Sequence, residues 1–283
     1  MKNMTIQAHD PRVPLMSPRD IHQRPVLECI DLGINFGGLA AVSDFNIAIG
    51  PTEVSGLIGP NGAGKTTIFN LLTKVYKPSH GKILLDGKDT KHMNTVGANK
   101  AGLARTFQNI RLFDKMTVME NVLIGLHNEM KSSMATSILR LPQYWRAERE
   151  ARQRALELLS IFDMQHMANY IAGSLPYGSK RRLEIVRALA TGPRVLLLDE
   201  PAAGMNPAET EELMNTIKQI HNRFKIAILL IEHDMRLVMG ICEAIAVVNY
   251  GKLIAKGTPA EIQNNPKVIE AYLGSTSGGD EHA

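Results

Sequence analysis

The stretch 59-GPNGAGKTT meets the spacing G-x-x-x-x-G-K-[ST] at Gly59, Gly64, Lys65 and Thr66. The chemistry of that spacing is phosphate binding. Gly59, Gly62 and Gly64 let backbone N–H groups turn inward around phosphate oxygens with no Cβ in the way. Lys65 supplies a mobile positive charge for the β- and γ-phosphates, and Thr66 offers a hydroxyl to Mg²⁺. Pro60, Asn61, Ala63 and Thr67 complete the phosphate-binding stretch. A helix beginning at Lys65 would aim its N-terminus at the anion.

A phosphate loop also needs a carboxylate to hold the magnesium, placed at the end of a neighbouring apolar strand. The segment 195-VLLLDE puts Asp199 in that position. Glu200 follows at the strand's C-terminal end, where open parallel sheets bind ligands, and can take a proton from an attacking water.

These groups must be held by a sheet. The run 54-VSGLIG leads into the glycine loop, and 65-KTTIFNLLTKVY has helical spacing at Ile68, Leu71, Leu72 and Val75. The runs 195-VLLL and 226-IAILLI read as strands buried on both faces of a parallel sheet. Shorter apolar runs at 26–30, 45–49 and 83–85, divided by turn residues, predict strands at a sheet edge. Residues 109–179 are mostly helical in pattern, with a helix over 147–162 that spaces Glu148 and Arg152 four apart. The segment 245-IAVVNYGKLIAKG reads as two strands joined at Asn249–Tyr250–Gly251. The fold class is therefore α/β, a P-loop core with a helical insertion.

The 283 residues carry a net charge of only +4, which speaks to solubility and points to no nucleic acid partner. The two cysteines, Cys29 and Cys242, stand far apart in apolar surroundings and read as buried free thiols. The longest apolar runs fall short of the roughly 18–20 residues that a bilayer requires. Residues 1–24, rich in Pro, Asp and Arg with no apolar core, read as a flexible tail rather than a secretory signal. Residues 276–283 read as a disordered one.

Four further segments occur in an order that resembles the ABC ATPases. Gln108 in 105-RTFQ resembles the Q-loop glutamine, which in this family senses Mg²⁺ and the attacking water. The segment 175-LPYGSKRRLEIVRALA resembles the signature region, 203-AGMNP the D-loop, and His233 in 231-IEHDM the switch histidine. Phe36 falls where the family stacks an aromatic ring on adenine. The resemblance implies an ABC ATP-binding domain over residues 25–275, a RecA-like core with an antiparallel β subdomain, and a helical subdomain at about 109–179. Within the family, 105-RTFQNIRLF, 200-EPAAGMNP, 229-LLIEHDMRLVMG and 257-GTPAEI look like the longer ATPase of Liv-type importers of branched-chain amino acids.

From that resemblance follow ATP and Mg²⁺ as cofactors, hydrolysis coupled to transport, and a place on the cytoplasmic face of the bacterial inner membrane. It also implies a second ABC ATPase subunit, two integral membrane permease subunits, and a periplasmic binding protein acting indirectly. Tyr177, Gly178 and Ser179 would then meet the nucleotide of the second ATPase. Importers of urea, lipid-export ATPases, soluble ABC ATPases and a binding subunit without turnover remain alternatives. Two departures bear on this. Pro176 stands where the family's signature has serine, removing a hydroxyl and a backbone donor. Lys180, Arg181 and Arg182 crowd the first turn of the following helix against its dipole, an arrangement that a nearby anion, the second subunit's nucleotide, would offset. The irregular segment 127–146, with Trp145, is expected to meet a permease loop.

Overall fold

A computed structural model describes Asp20, residues 23–126 and residues 142–273. The chain first builds the antiparallel strands β1 (Leu27–Phe36) and β2 (Leu39–Ile49), then β3 (Val54–Ile58) and α1 (Lys65–Leu72). Next come β4 (His80–Leu85), β5 (Lys88–Asp89), α2 (Thr95–Lys100) and β6 (Leu103–Arg105). The helices α3 (Val118–Leu126), α4 (Pro142–Ser160) and α5 (Tyr177–Leu189) follow, with 3-10 turns at Gln165–Met167 and Ala172–Ser174. The chain then forms β7 (Val195–Asp199), α6 (Pro207–Phe224), β8 (Ala227–Ile231) and α7 (Met235–Ile241). It closes with β9 (Ala244–Asn249), β10 (Lys252–Gly257), α8 (Pro259–Gln263) and α9 (Pro266–Leu273).

Two sheets result, ordered β2-β1-β4-β5 and β10-β9-β3-β8-β7-β6. The first is antiparallel; the second is parallel except for β10. Every residue of β3, β7 and β8 is buried, which is why their sequences run apolar without alternation. The period of two still sorts the side chains. Leu196, Leu198, Ile228 and Leu230 face the core shared with the helical insertion, whereas Val195, Leu197, Ala227 and Leu229 face α1 and the antiparallel sheet.

The register decides where chemistry can happen. Leu57 of β3 and Asp199 of β7 both pair with Ile231 of β8, so the three strands end level. Residues 59–66, Glu200 and His233 therefore all leave the sheet at its C-terminal edge, the ligand-binding edge of open parallel sheets.

Some boundaries differ from the sequence expectation. Helix α1 stops at Leu72, because Lys74 adopts a left-handed φ of 61° and Asn70 O captures the N–H groups of Val75 and Tyr76. Val75, expected on the buried face, is consequently 50% exposed. The helix expected over 147–162 starts five residues earlier, at Pro142, and contains the Glu148–Arg152 pair at 3.2 Å. Asp20, assigned to the tail, belongs to the folded body: it is buried and accepts the backbone N–H of Thr52 at 3.1 Å. Residues 1–19, 21–22, 127–141 and 274–283 lie outside the described residues.

Candidate functional site

The phosphate loop is built on left-handed glycines. Gly59, Gly62 and Gly64 have φ of 155°, 75° and 100°, and a Cβ on Gly59 would lie 2.0 Å from the carbonyl O of Val248. Gly64 caps α1 without a side-chain bond, leaving the first amides of the helix directed out of the loop. Lys65 folds back over the loop, donating to the carbonyls of Gly59 at 2.6 Å and Pro60 at 2.8 Å. Burial lowers the pKa of this ammonium, and the nearby carboxylates of Glu200 and Asp199 work against that. Asn61, Gly62 and Thr66 are exposed, Pro60, Gly64 and Thr67 are half-buried, and Ala63 packs inward. From the opposite side, the Tyr272 hydroxyl of α9 accepts the N–H of Gly59, although burial still pushes its pKa up.

At the end of β7, Oδ2 of Asp199 sits 2.6 Å from Nη2 of Arg105, with both side chains almost fully buried. Arg105 also donates to Asn70 Oδ1 at 2.8 Å and lies 5.0 Å from the centre of the Phe107 ring. Glu200 takes a left-handed φ of 45°, rare for a residue with a side chain, and its N–H is held by the Ile231 carbonyl at 2.9 Å. Its Oε2 accepts from Nε2 of Gln108 at 2.9 Å. Gln108 and the residue after Asp199 are thus brought into direct contact.

His233 presents an exposed ring at the end of β8. Behind it, the buried Glu232 accepts the N–H groups of Ala202 at 2.8 Å, His233 at 3.1 Å and Asp234 at 3.4 Å. Burial pushes the pKa of Glu232 up, although these backbone donors pull it down. One carboxylate therefore pins the segment after Glu200 to the segment carrying His233. Phe36 is 46% exposed and meets Tyr76 edge-to-face at 5.3 Å, so one ring face remains available for stacking.

The residues 177–179 open α5 at a different place, beside the segment 204–209. A Cβ on Gly204 would stand 3.3 Å from the Tyr177 ring, and one on Gly178 would stand 3.5 Å from Oε1 of Glu209. Tyr177 is exposed and Gly178 half-buried, but Ser179 is buried, so its hydroxyl does not join them at the surface. The basic turn also needs correction. Arg181 is fully buried and bonds to Glu184 at 2.9 Å, and Arg182 pairs with Glu212 at 3.0 Å. These two charges are met within the chain and need no external anion.

Arg105, Glu232 and Tyr272 were not singled out from sequence, and Arg181 was read only as one of three cations facing an external anion. Arg105 and Glu232 carried a signal that could have found them, a single charge at the end of an apolar strand.

The donor set around the loop suits magnesium. Thr66, Asp199 and the amide oxygen of Gln108 are hard oxygen donors. Among the described residues no group of three or more His, Cys, Asp and Glu could hold a metal ion.

Comparison with known proteins agrees with this geometry. The ABC transporter family matches residues 42–203, more than half of the chain. The chain belongs to the ABC transporter ATP-binding family. This ABC ATPase is 48% identical to the high-affinity branched-chain amino acid transport ATP-binding protein LivG of Escherichia coli (strain K12), over 89% of this chain and 98% of that protein. It is 32% identical to the lipopolysaccharide export system ATP-binding protein LptB of Haemophilus influenzae, over 88% of this chain and 97% of that one. A second family, described as branched-chain amino acid ATP-binding cassette transporter, matches residues 252–276 of the ABC ATPase. Its fold superposes with a TM-score of 0.76 on the crystal structure of the ADP conformation of an ATP-binding cassette, at 30% identity over 88% of this chain and 99% of that one. The α/β cassette expected from sequence is the fold observed, and this ABC ATPase binds and hydrolyses ATP. Among the described residues, no helix is long and apolar enough to cross a membrane.

Proposed function

We propose that the chain is the motor subunit of an importer of branched-chain amino acids, working at the cytoplasmic face of the bacterial inner membrane. The observation that carries this reading is the 48% identity extending over 98% of LivG. The match at 252–276 adds to it, because α9 in that segment reaches back to the phosphate loop through Tyr272 and Gly59. The lipid-export alternative has the weaker support of 32% identity.

In the hydrolytic step, Lys65 exchanges its two carbonyl partners for oxygens of the β- and γ-phosphates. Thr66, Asp199 and Gln108 would hold Mg²⁺, which would supply neutralisation of the charge on the transferring phosphoryl group. Glu200 takes the proton of the attacking water, with Gln108 fixing the direction of its carboxylate. His233, exposed at the end of β8, takes the switch-histidine role, and Phe36 stacks on adenine. The Gly178 N–H, at the exposed end of α5, serves the nucleotide of a second ABC ATPase subunit, with Tyr177 covering it; the buried Ser179 supports that turn from inside.

Two integral membrane permease subunits receive the motion, and a periplasmic binding protein acts on them from the other side. A groove of about 600 Å³ between the core and the helical insertion suits a permease loop. Its exposed Val96, Phe113 and Ile124 are apolar surface that such a loop would cover. The segment 127–141, expected to take part, lies outside the described residues, and Trp145 beside it is 51% exposed.

The test is co-purification of tagged chain from detergent-solubilised membranes. Recovery of two multi-span proteins and a second, shorter ATPase is the expected result. Recovery of the chain alone, or bound to ribosomes or DNA, would leave an ATPase and remove the transporter.

A further inference from the structure

Helix α5 contains a fully buried arginine whose hydrogen bonds lead to the proposed hydrolytic residues. Nη2 of Arg181 donates to the carbonyl of Gln108 at 3.2 Å and to that of Glu200 at 2.8 Å. Nη1 donates to the carbonyl of Phe107 and to Oε2 of Glu184 at 2.9 Å. Oε1 of Glu184 in turn accepts the N–H groups of Phe107 at 3.3 Å and Arg111 at 3.2 Å. A single nitrogen thus bridges the backbones of the two residues whose side chains meet at 2.9 Å.

Packing alone does not call for this arrangement. A buried ion pair is often no more stabilising than apolar residues of equal volume, so its bonds matter for the geometry they impose. Here that geometry is at a strained point. Glu200 holds a left-handed φ of 45°, which persists only when neighbours over-determine it. Ile231 grips its N–H, and Arg181 grips its carbonyl. The planar guanidinium can serve several acceptors in fixed directions, which a lysine cannot. Arg181 also lies one helical turn beyond Tyr177 and Gly178 on α5.

We propose that Arg181, anchored by Glu184, is a positioning residue that aligns Gln108 with Glu200 and ties their alignment to α5. The helix whose exposed end meets a second subunit's nucleotide then also sets this chain's own hydrolytic pair. The inference rests on the roles proposed above for Gln108 and Glu200.

Arg181→Lys in the full chain keeps the charge and loses the fork. We expect kcat for ATP to fall about tenfold or more while the Kd for a fluorescent ATP analogue stays within about twofold. In a Gln108→Ala background the same substitution should cost little more, because both act through one alignment. Unchanged kcat, or an equal loss in both backgrounds, would overturn the proposal. Should Arg181→Lys fold poorly, Arg181→Met combined with Glu184→Gln leaves no lone buried charge, and the same kinetic outcomes decide. Glu200→Gln is assayed alongside: substantial turnover there would remove the proposed role of Glu200 itself, a failure distinct from that of Arg181.

Discussion

Nη2 of Arg105 and Oδ2 of Asp199 lie 2.6 Å apart, with side chains only 5% and 4% exposed. The carboxylate proposed to hold magnesium is thus already matched by a buried cation from the neighbouring strand β6. Removing one partner of such a pair strands the other charge in the interior, at a cost of about 3–5 kcal/mol. Arg105→Leu should therefore lower thermal stability strongly. Mg-ATP should restore more of the melting temperature in the variant than in the wild type, because the ion supplies Asp199 with a new cation. Thermal melting with and without Mg-ATP measures both effects, and equal ligand shifts would separate Asp199 from magnesium.

Glu200→Gln removes the proposed proton acceptor and keeps the side-chain shape and an acceptor for Gln108. Phosphate release should fall by about 10²–10⁴. Nucleotide titration should give nearly wild-type affinity, since the loop and Lys65 are untouched. A variant that hydrolyses at the normal rate would reassign the base.

Glu232 makes stability depend on pH in a known direction. Its folded pKa is raised by burial, so its stabilising contribution is complete below the ordinary carboxylate value of 4.5 and is lost as pH rises through the folded value. Glu232→Gln carries no such charge. The melting temperature of the variant minus that of wild type should increase as pH rises from about 4.5, then level off. A difference independent of pH would mean that burial and the backbone donors cancel, and one that falls as pH rises would mean that the donors govern this carboxylate.

Cys29 and Cys242 are buried, and burial pushes both thiols far above their usual pKa. A chromogenic thiol reagent should therefore titrate neither cysteine in the native protein and both after unfolding in denaturant. Rapid native labelling would mean that the packing around β1 and the C-terminal end of α7 opens.

The linear order of residues was enough for much of this. The glycine loop, Lys65 and the strands 195–199 and 227–231 were legible because short-range rules govern them: left-handed turns need glycine, and strands buried on both faces run apolar. The start of α6 obeys a rule of the same short range, since Asn206 and Glu209 form a capping box around Pro207. The end of α1 was not, because a left-handed Lys74 stops a helix whose apolar spacing continues to Val75.

What only the tertiary structure decided were the pairings of charge across long separations. Arg105 meets Asp199 across 94 residues, Gln108 meets Glu200 across 92, and Arg181 reaches back 74 residues to Phe107. Three basic residues in a row at 180–182 look alike as text. Helical geometry buries one and turns its neighbour to the rim, because successive residues project about 100° apart around the axis. Sequence determined which groups could bind and cleave a phosphate. The parallel register, by ending β3, β7 and β8 level, determined that they could do so together.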